Sequence, residues 1–361
     1  MKATAVIGAN FGDEGKGLIV DYLCSKGDAG MVVRFNGGAQ AGHTVVTPDG
    51  QRHVFHHFGA GSFCGVPTYL SKYFICNPLL FFEELDALHK LGLNPTVYAH
   101  PDCLITTYAD MMINQALEDQ RGANRHGSCG VGVNETVKRS ALPGLSITMS
   151  DLWNRAGSIE RKLEEICDKY SRFRTGKTVD RPEFPEWFIK GCWRFAEVVH
   201  PLGIEQCRDP VFEGAQGLLL DQDNKQFFPH VTRSSTGMKN VRKLCAAAGI
   251  TDIETYYVTR TYLTRHGAGD LPNEDRGLKF EDDTNLEHAY QGTLRFAPMD
   301  WGNLPGRCAT DYGSDGYWLA ITHADQNAWH DGLHLGLVSH GPCRTQVSPM
   351  AATKRLRVAT A

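Results

Sequence analysis

Apolar and polar positions along the chain follow two periods. Thr4-Ala-Val-Ile-Gly8 is a short apolar run ending in glycine, and Leu18-Ile-Val-Asp-Tyr-Leu-Cys24 follows with apolar residues at helical spacing. Met31-Val-Val-Arg-Phe35 comes next, closed by Asn36-Gly-Gly38. Strand, glycine turn, helix and strand in succession predict a crossover unit, because parallel neighbours need a long connection that is usually a helix. The same reading predicts strands over 207–213, 254–261, 318–322 and 333–339, and helices over 80–91 and 159–170. Two polar, proline-bearing stretches, 172–185 and 269–283, read as surface excursions, since no compositional shift accompanies them. The expected architecture is α/β: a mostly parallel central sheet with flanking helices and helical insertions, with 1–361 as a single domain.

Composition trims the alternatives. With 42% hydrophobic residues in 361, the chain can bury a sizeable core, and intrinsic disorder is excluded. The 37 Lys+Arg against 41 Asp+Glu leave a net charge of −4, with no cation excess for a phosphate backbone, so nucleic acid is not an expected partner. No apolar run reaches the ~18 residues of a membrane span, and Met1 to Gly17 carry no apolar leader with a small-residue cleavage site. The eleven cysteines are scattered and include no Cys-x-x-Cys pair, which fits reduced thiols in the cytoplasm.

The chemistry concentrates in two glycine-rich turns. Gly12-Asp-Glu-Gly15-Lys-Gly17 lies between a predicted strand and a predicted helix. Glycines there let backbone N–H groups approach an anion, and Lys16 adds a point charge suited to phosphate. The order Gly-x-x-Gly-x-Gly is neither a Walker A loop nor the dinucleotide fingerprint, which sets a Rossmann-type dehydrogenase low. Two acids inside such a turn would repel phosphate unless a divalent cation or a proton transfer employs them. Asp13 is therefore a candidate Mg2+ ligand, a general base, or a simple helix cap. The second turn, Asn36-Gly-Gly38-Ala-Gln-Ala-Gly42-His43-Thr44, places an imidazole on a mobile loop beyond a strand's carboxyl end, where ligands of open α/β sheets bind. His53, His56 and His57 have no carboxylate or thiol at ligand spacing, and Trp187, Trp193 and Trp318 read as packing residues.

These two segments together resemble adenylosuccinate synthetase, which carries Gly-Asp-Glu-Gly-Lys-Gly followed by Gly-Gly-x-x-Ala-Gly-His-Thr. The resemblance continues in order through Gly127-Ser-Cys-Gly130-Val-Gly132, Phe212-Glu-Gly-Ala-Gln-Gly217, Pro229-His-Val-Thr232, Thr264-Arg-His-Gly-Ala-Gly269, Thr322-His-Ala-Asp325 and Ser339-His-Gly-Pro342. It implies a ligase that phosphorylates O6 of a purine nucleotide and then lets L-aspartate displace the phosphate. Asp13 and His43 would be catalytic, as base and acid, and Asp13 with the Gly42 carbonyl would hold Mg2+. The acceptor nucleotide would meet Asp13, Gln40, Ser128, Cys129, Gln216 and Thr232, with Arg139 supplied across a homodimer. The nucleoside triphosphate donor would meet Gly12, Glu14, Gly15, Lys16, Gly17, Thr44, Arg295, Asp325, Ser339 and Gly341. Aspartate would meet Gly292, Thr293 and Arg295.

Departures from the family pattern cluster on the ligands. Only Arg295 remains of an arginine run, with Thr293 where an arginine is expected. Ala39-Gln40 replaces His-Asn, and the donor-base lysine has become His323. Clustered changes at both nucleotide sites argue for altered specificity. They resemble the phage branch of the family, the N6-succino-2-amino-2′-deoxyadenylate synthases, which take dGMP with ATP or dATP for 2-aminoadenine DNA. The expected location is then a host cytoplasm. The ordinary reaction (IMP, aspartate and GTP) and a non-catalytic nucleotide-binding protein are the alternatives.

Overall fold

Successive residues of a strand point to opposite faces, and the first strand shows the consequence for this chain. In β1 (Lys2–Gly8), Ala3, Ala5 and Ile7 enter one buried cluster while Val6 enters the other. In β2 (Met31–Arg34) the split repeats, with Met31 and Val33 on one side and Val32 on the other. Strands covered on both faces favour apolar residues on both, which is why these segments read as near-continuous apolar runs rather than alternating ones.

The computed structural model describes residues 1–122, 127–155, 158–172, 185–285, 292–313, 316–330 and 333–350. After β1 and β2 the main sheet continues with β3 (Thr68–Leu70), β4 (Val97–Ala99), β5 (Val199–Pro201), β6 (Pro210–Gly217) and β7 (Asp252–Arg260). It is completed by β8 (Trp318–Thr322), β9 (Leu335–Ser339) and β10 (Val347–Pro349). Their spatial order is β10-β9-β8-β7-β1-β6-β2-β3-β4-β5. Every pairing is parallel except that of β10, which runs antiparallel along β9 at one edge. The expected class is observed.

Helices Lys16–Cys24, Pro78–Lys90, Ser158–Arg172 and Glu186–Val198 bury apolar residues in the Val6 cluster. Helices Met238–Ala247 and Leu304–Tyr312 cover the opposite face. The Pro78–Lys90 helix shows how local sequence sets an element. The Asn77 side chain accepts from the Leu79 and Leu80 N–H groups, Pro78 needs no donor at the first position, and His89 and Lys90 face the negative end.

Three expectations change. The strand foreseen over 207–213 begins at Pro210 and runs on to Gly217, through a polar, glycine-rich segment held extended by parallel neighbours. Four main-sheet strands of three residues each, β3, β4, β5 and β10, are too short to show a period. Segment 269–283 ends against a cleft rather than wandering over the surface, whereas 173–184 lies outside the described residues.

The carboxyl ends of β1, β2, β6, β7 and β8 meet along one edge, and the turns leaving them carry the polar groups. Substituting Phe81, which is buried against Phe58 and Phe195 with ring centroids 4.8 Å away in each case, tests the core behind that edge. Phe81→Ala is expected to lose about 3–5 kcal/mol of stability, read from urea denaturation midpoints.

Candidate active site

The first turn is shaped by how closely β1 approaches β6. A Cβ on Gly8 would sit 2.4 Å from both the Gln216 carbonyl and a Glu14 carboxylate oxygen, so only glycine fits. The chain then turns through Gly12 at φ 105°, Asp13 at φ 56° and Gly15 at φ 85°. Asp13 is thus a non-glycine residue in left-handed backbone, and its carbonyl accepts from Arg260 Nε. It does not cap the helix, because Gly15 occupies that position and offers no side chain. The first N–H groups of helix Lys16–Cys24 are left without a side-chain acceptor, the arrangement that suits an anion.

Glu14 folds back beneath the turn and accepts the Asn10 N–H at 2.7 Å. Burial pushes its carboxyl up to about 7, against the pull of Lys16, Asn10 and Arg307. Lys16 is buried too, which lowers its pKa while Glu14, Asp13 and Glu213 oppose the shift.

His43 does not sit on a mobile loop. It opens a hairpin strand, His43–Val46, paired with Arg52–Phe55, and is 3% exposed. Its Nδ1 lies 3.6 Å from Glu213 Oε1, while Nε2 is buried without a protein partner. Burial, then Arg34 and Lys16, holds its pKa well below the usual imidazole value, so the ring is neutral near pH 7. Gln40 and Gln216 converge beside it. A Cβ on Gly37 would lie 3.5 Å from Gln40 Nε2 and 3.8 Å from Gln216 Oε1. Both glutamine Oε1 atoms are buried with no donor.

Asp13, Glu14, Lys16, Gln40, Gly42, His43, Thr44, Cys129, Gln216, Asp325 and Gly341 all line one cavity of about 1210 Å³. That exceeds the ~300–1,000 Å³ common for one small ligand. Gly12, Gly15 and Gly17 form its floor, and Ser339 sits behind Gly341, donating to the Gly341 carbonyl at 2.6 Å. Asp13 and Gly42 both line this cavity. Among the described residues no group of three His, Cys, Asp or Glu side chains is arranged to hold a metal ion. One carboxylate plus a carbonyl is a donor set that fits Mg2+, which takes its remaining ligands from phosphates and water.

Other expected residues stand elsewhere. Ser128 donates to Asn114 Oδ1 at 3.1 Å, and the Thr232 N–H donates to the Leu220 carbonyl at 2.8 Å, both off the cavity wall. Arg295 is taken up by Glu274 at 2.7 Å and by the carbonyls of Gly267 and Gly269, both at 2.8 Å. Gly292 and Thr293 are exposed beside it, and the Gly292 carbonyl is 3.1 Å from His266 Nε2. Arg139 requires correction. Its guanidinium is fully buried, bound to Asp110 and to the carbonyls of Ile105 and Leu145, so it presents nothing to a partner subunit.

The sequence reading also missed groups. Glu84, 27 or more residues away, does join the histidines: it accepts the His56 and His57 N–H groups at 2.8 and 2.7 Å and lies 3.7 Å from His53 Nε2. Trp187 is half exposed, edge-on to Tyr108, rather than packed inside. Arg34 and Glu213, a buried pair 3.7 Å apart, were legible only as charges interrupting apolar strands. The cysteines among the described residues are free thiols, and no described helix is long and apolar enough to cross a membrane.

Fold and cavity define an α/β protein with a polar cleft at the carboxyl edge of a mainly parallel sheet. The chain belongs to the adenylosuccinate synthetase family, whose model, described as "Adenylosuccinate synthetase", matches residues 5–307. Adenylosuccinate synthetase of Syntrophobacter fumaroxidans is 32% identical over 76% of this chain and 66% of its own length. That of Pseudomonas fluorescens SBW25 is 31% identical over 76% and 65%. The chain thus spans just under two thirds of these curated relatives. Fully ligated adenylosuccinate synthetase from Plasmodium falciparum shares the fold at TM-score 0.72 and 19% identity, covering 90% of this chain and 77% of that one. Cyanophage S-2L succinoaminodeoxyadenylate synthetase (PurZ), bound to dGMP and to dATP as an energy donor, gives 0.61 and 17%, covering 96% and 95%.

Removing the buried Arg139 charge strands Asp110 without its partner. Arg139→Met is expected to cost about 3–5 kcal/mol in chemical denaturation, where a residue serving only a partner's ligand would cost almost nothing.

Proposed function

We propose that this chain is a ligase joining L-aspartate to C6 of a purine nucleotide, with dGMP as acceptor and ATP or dATP as donor. The observation that carries the choice of acceptor is the pair of buried, donorless amide oxygens of Gln40 and Gln216 on the cavity wall. A buried acceptor left unmatched costs ~1–3 kcal/mol, so a ligand with hydrogens to give is favoured. With N1–H going to Asp13, guanine still offers the two hydrogens of its 2-amino group on that edge, whereas hypoxanthine offers none. The phage relative of matching length, solved with dGMP and dATP, supports the same reading.

The residues divide the work as follows. Asp13 takes the N1 proton, so that O6 becomes an oxyanion able to attack the donor's γ-phosphorus as the nucleoside diphosphate leaves. His43, neutral in its buried position, gives a hydrogen bond to the transferring phosphoryl group. Lys16 and the amides of the glycine turn hold phosphate oxygens. The amine of aspartate then attacks C6 and inorganic phosphate departs. Mg2+, when held by Asp13 and the Gly42 carbonyl, would neutralise phosphate charge. Asp325 and Gly341 would face the donor base, and Gly292, Thr293 and Arg295 would meet aspartate. Ser128, Cys129 and Thr232 are proposed around the acceptor phosphate. A cytoplasmic homodimer completes the reading.

The curated relatives favour a second reading, IMP with GTP. Purified protein incubated with aspartate, Mg2+ and dGMP plus dATP is expected to release phosphate and form the succinylated 2-amino product. Turnover with IMP and GTP alone selects the second reading, and nucleotide binding without any turnover selects a non-catalytic protein. Asp13→Asn is expected to lower kcat by about 10²–10⁴-fold with the fold intact by circular dichroism. Gln40→Leu is expected to weaken kcat/KM for dGMP about tenfold or more, the size of one unmatched buried hydrogen bond.

A further inference from the structure

Arg260 lies at the end of β7, 4% exposed, and lines the cavity together with two of its partners, Asp13 and Asp282. Nε donates to the Asp13 carbonyl, NH1 to the Tyr262 hydroxyl at 3.0 Å, and NH2 to Asp282 Oδ2 at 2.8 Å. Asp282 is 9% exposed on its side chain and organises its own turn, accepting the Thr284 and Asn285 N–H groups at 2.9 and 2.8 Å. Burial opposes its ionisation, yet the Arg260 guanidinium and the Asn285 hydrogen bonds outweigh burial and hold it at about 2. Tyr262 stacks on Phe280 with centroids 3.6 Å apart, and its hydroxyl donates to Gln326 Oε1 at 2.6 Å. Gln326 in turn donates to the Glu281 carbonyl at 3.1 Å. The segment 280–285 is thereby tied to the turn bearing Asp13 and to the corner bearing Asp325.

We propose that Arg260 is a positioning residue: anchored by Asp282 and Tyr262, it holds the Asp13 carbonyl and with it the left-handed backbone that aims the Asp13 carboxylate. A guanidinium does this where an ammonium does not, because its planar fork reaches three fixed acceptors at once. Its link to turnover rests on the ligase reading above. The backbone restraint itself does not.

Hydrogen exchange on the ligand-free protein therefore tests the restraint without reference to activity. In Arg260→Lys and in the isosteric Asp282→Asn, amides of residues 12–16 are expected to exchange about tenfold faster or more, together with those of 281–285, while the Phe81 helix keeps its protection. Faster exchange at 281–285 with residues 12–16 unchanged overturns the proposal, as does unchanged exchange in both. If the wild type turns over, both variants are expected to lose kcat by up to about 10²-fold while KM for the donor stays within about threefold. A rise in donor KM at constant kcat would make Arg260 a donor-binding group and overturn the positioning role. A wild type that turns over no acceptor would defeat the ligase reading and leave the exchange result to stand.

Discussion

Arg34 and Glu213 face each other 3.7 Å apart with neither side chain reaching solvent, and much of the cleft is arranged around that pair. Glu213 accepts the Ala60 N–H at 3.2 Å, lies beside His43 and counters the charge of Lys16, while Arg34 donates to the Phe58 carbonyl at 3.1 Å. Charges withdrawn from water to this degree are tolerated only when each is matched, and removing one strands the other. The matching group for Arg34 lies on the neighbouring parallel strand, which fixes the β2–β6 register directly below the glycine turns. The cleft floor is therefore an electrostatic layer laid over an apolar sheet. Burial in that layer, with Arg34 and Lys16 beside it, keeps His43 neutral, and burial likewise raises the pKa of Glu14.

Much of the fold was legible because β1, β2, β7 and β8 are largely buried on both faces and carry apolar runs, interrupted by few charges such as Arg34. The main-sheet strands that escaped notice are three residues long, too short for any period, and exist because neighbours offer them hydrogen bonds. β6 was half read, since Phe212-Glu-Gly-Ala-Gln-Gly217 has the composition of a loop. Glycine is required there by the close passage of the first turn, and a glutamine at φ 55° ends the run. In the site, both glycine turns announced themselves, and Asp13, Lys16, Gln40, His43 and Gln216 do meet on one wall. What no local pattern could give was partnership across distance. Arg139, expected as an arginine supplied across a homodimer, is held by Asp110 on another helix. Glu84, which no local spacing tied to the histidines, accepts two of their backbone N–H groups.

The family resemblance and the geometry divide the explanation between them. Membership accounts for the order of motifs along the chain. The geometry accounts for how a chain lacking most of the arginine run can still organise its cleft, since Arg295 braces the 267–269 turn through carbonyls, and Arg260 braces the Asp13 turn in the same manner. Each arginine pairs with one carboxylate, Glu274 or Asp282, and spends its other donors on main-chain oxygens of a turn or, for Arg260, also on the Tyr262 hydroxyl.

The left-handed backbone at position 13 also bears on how this chain can diverge. Side chains branched at Cβ are strained there, and asparagine or glycine are among the few that settle without penalty. Replacement at this site is consequently filtered by peptide sterics and, under the base role proposed for Asp13, by proton affinity as well. Lineages that abandon the carboxylate are channelled toward small or amide residues, whatever nucleotide they come to prefer.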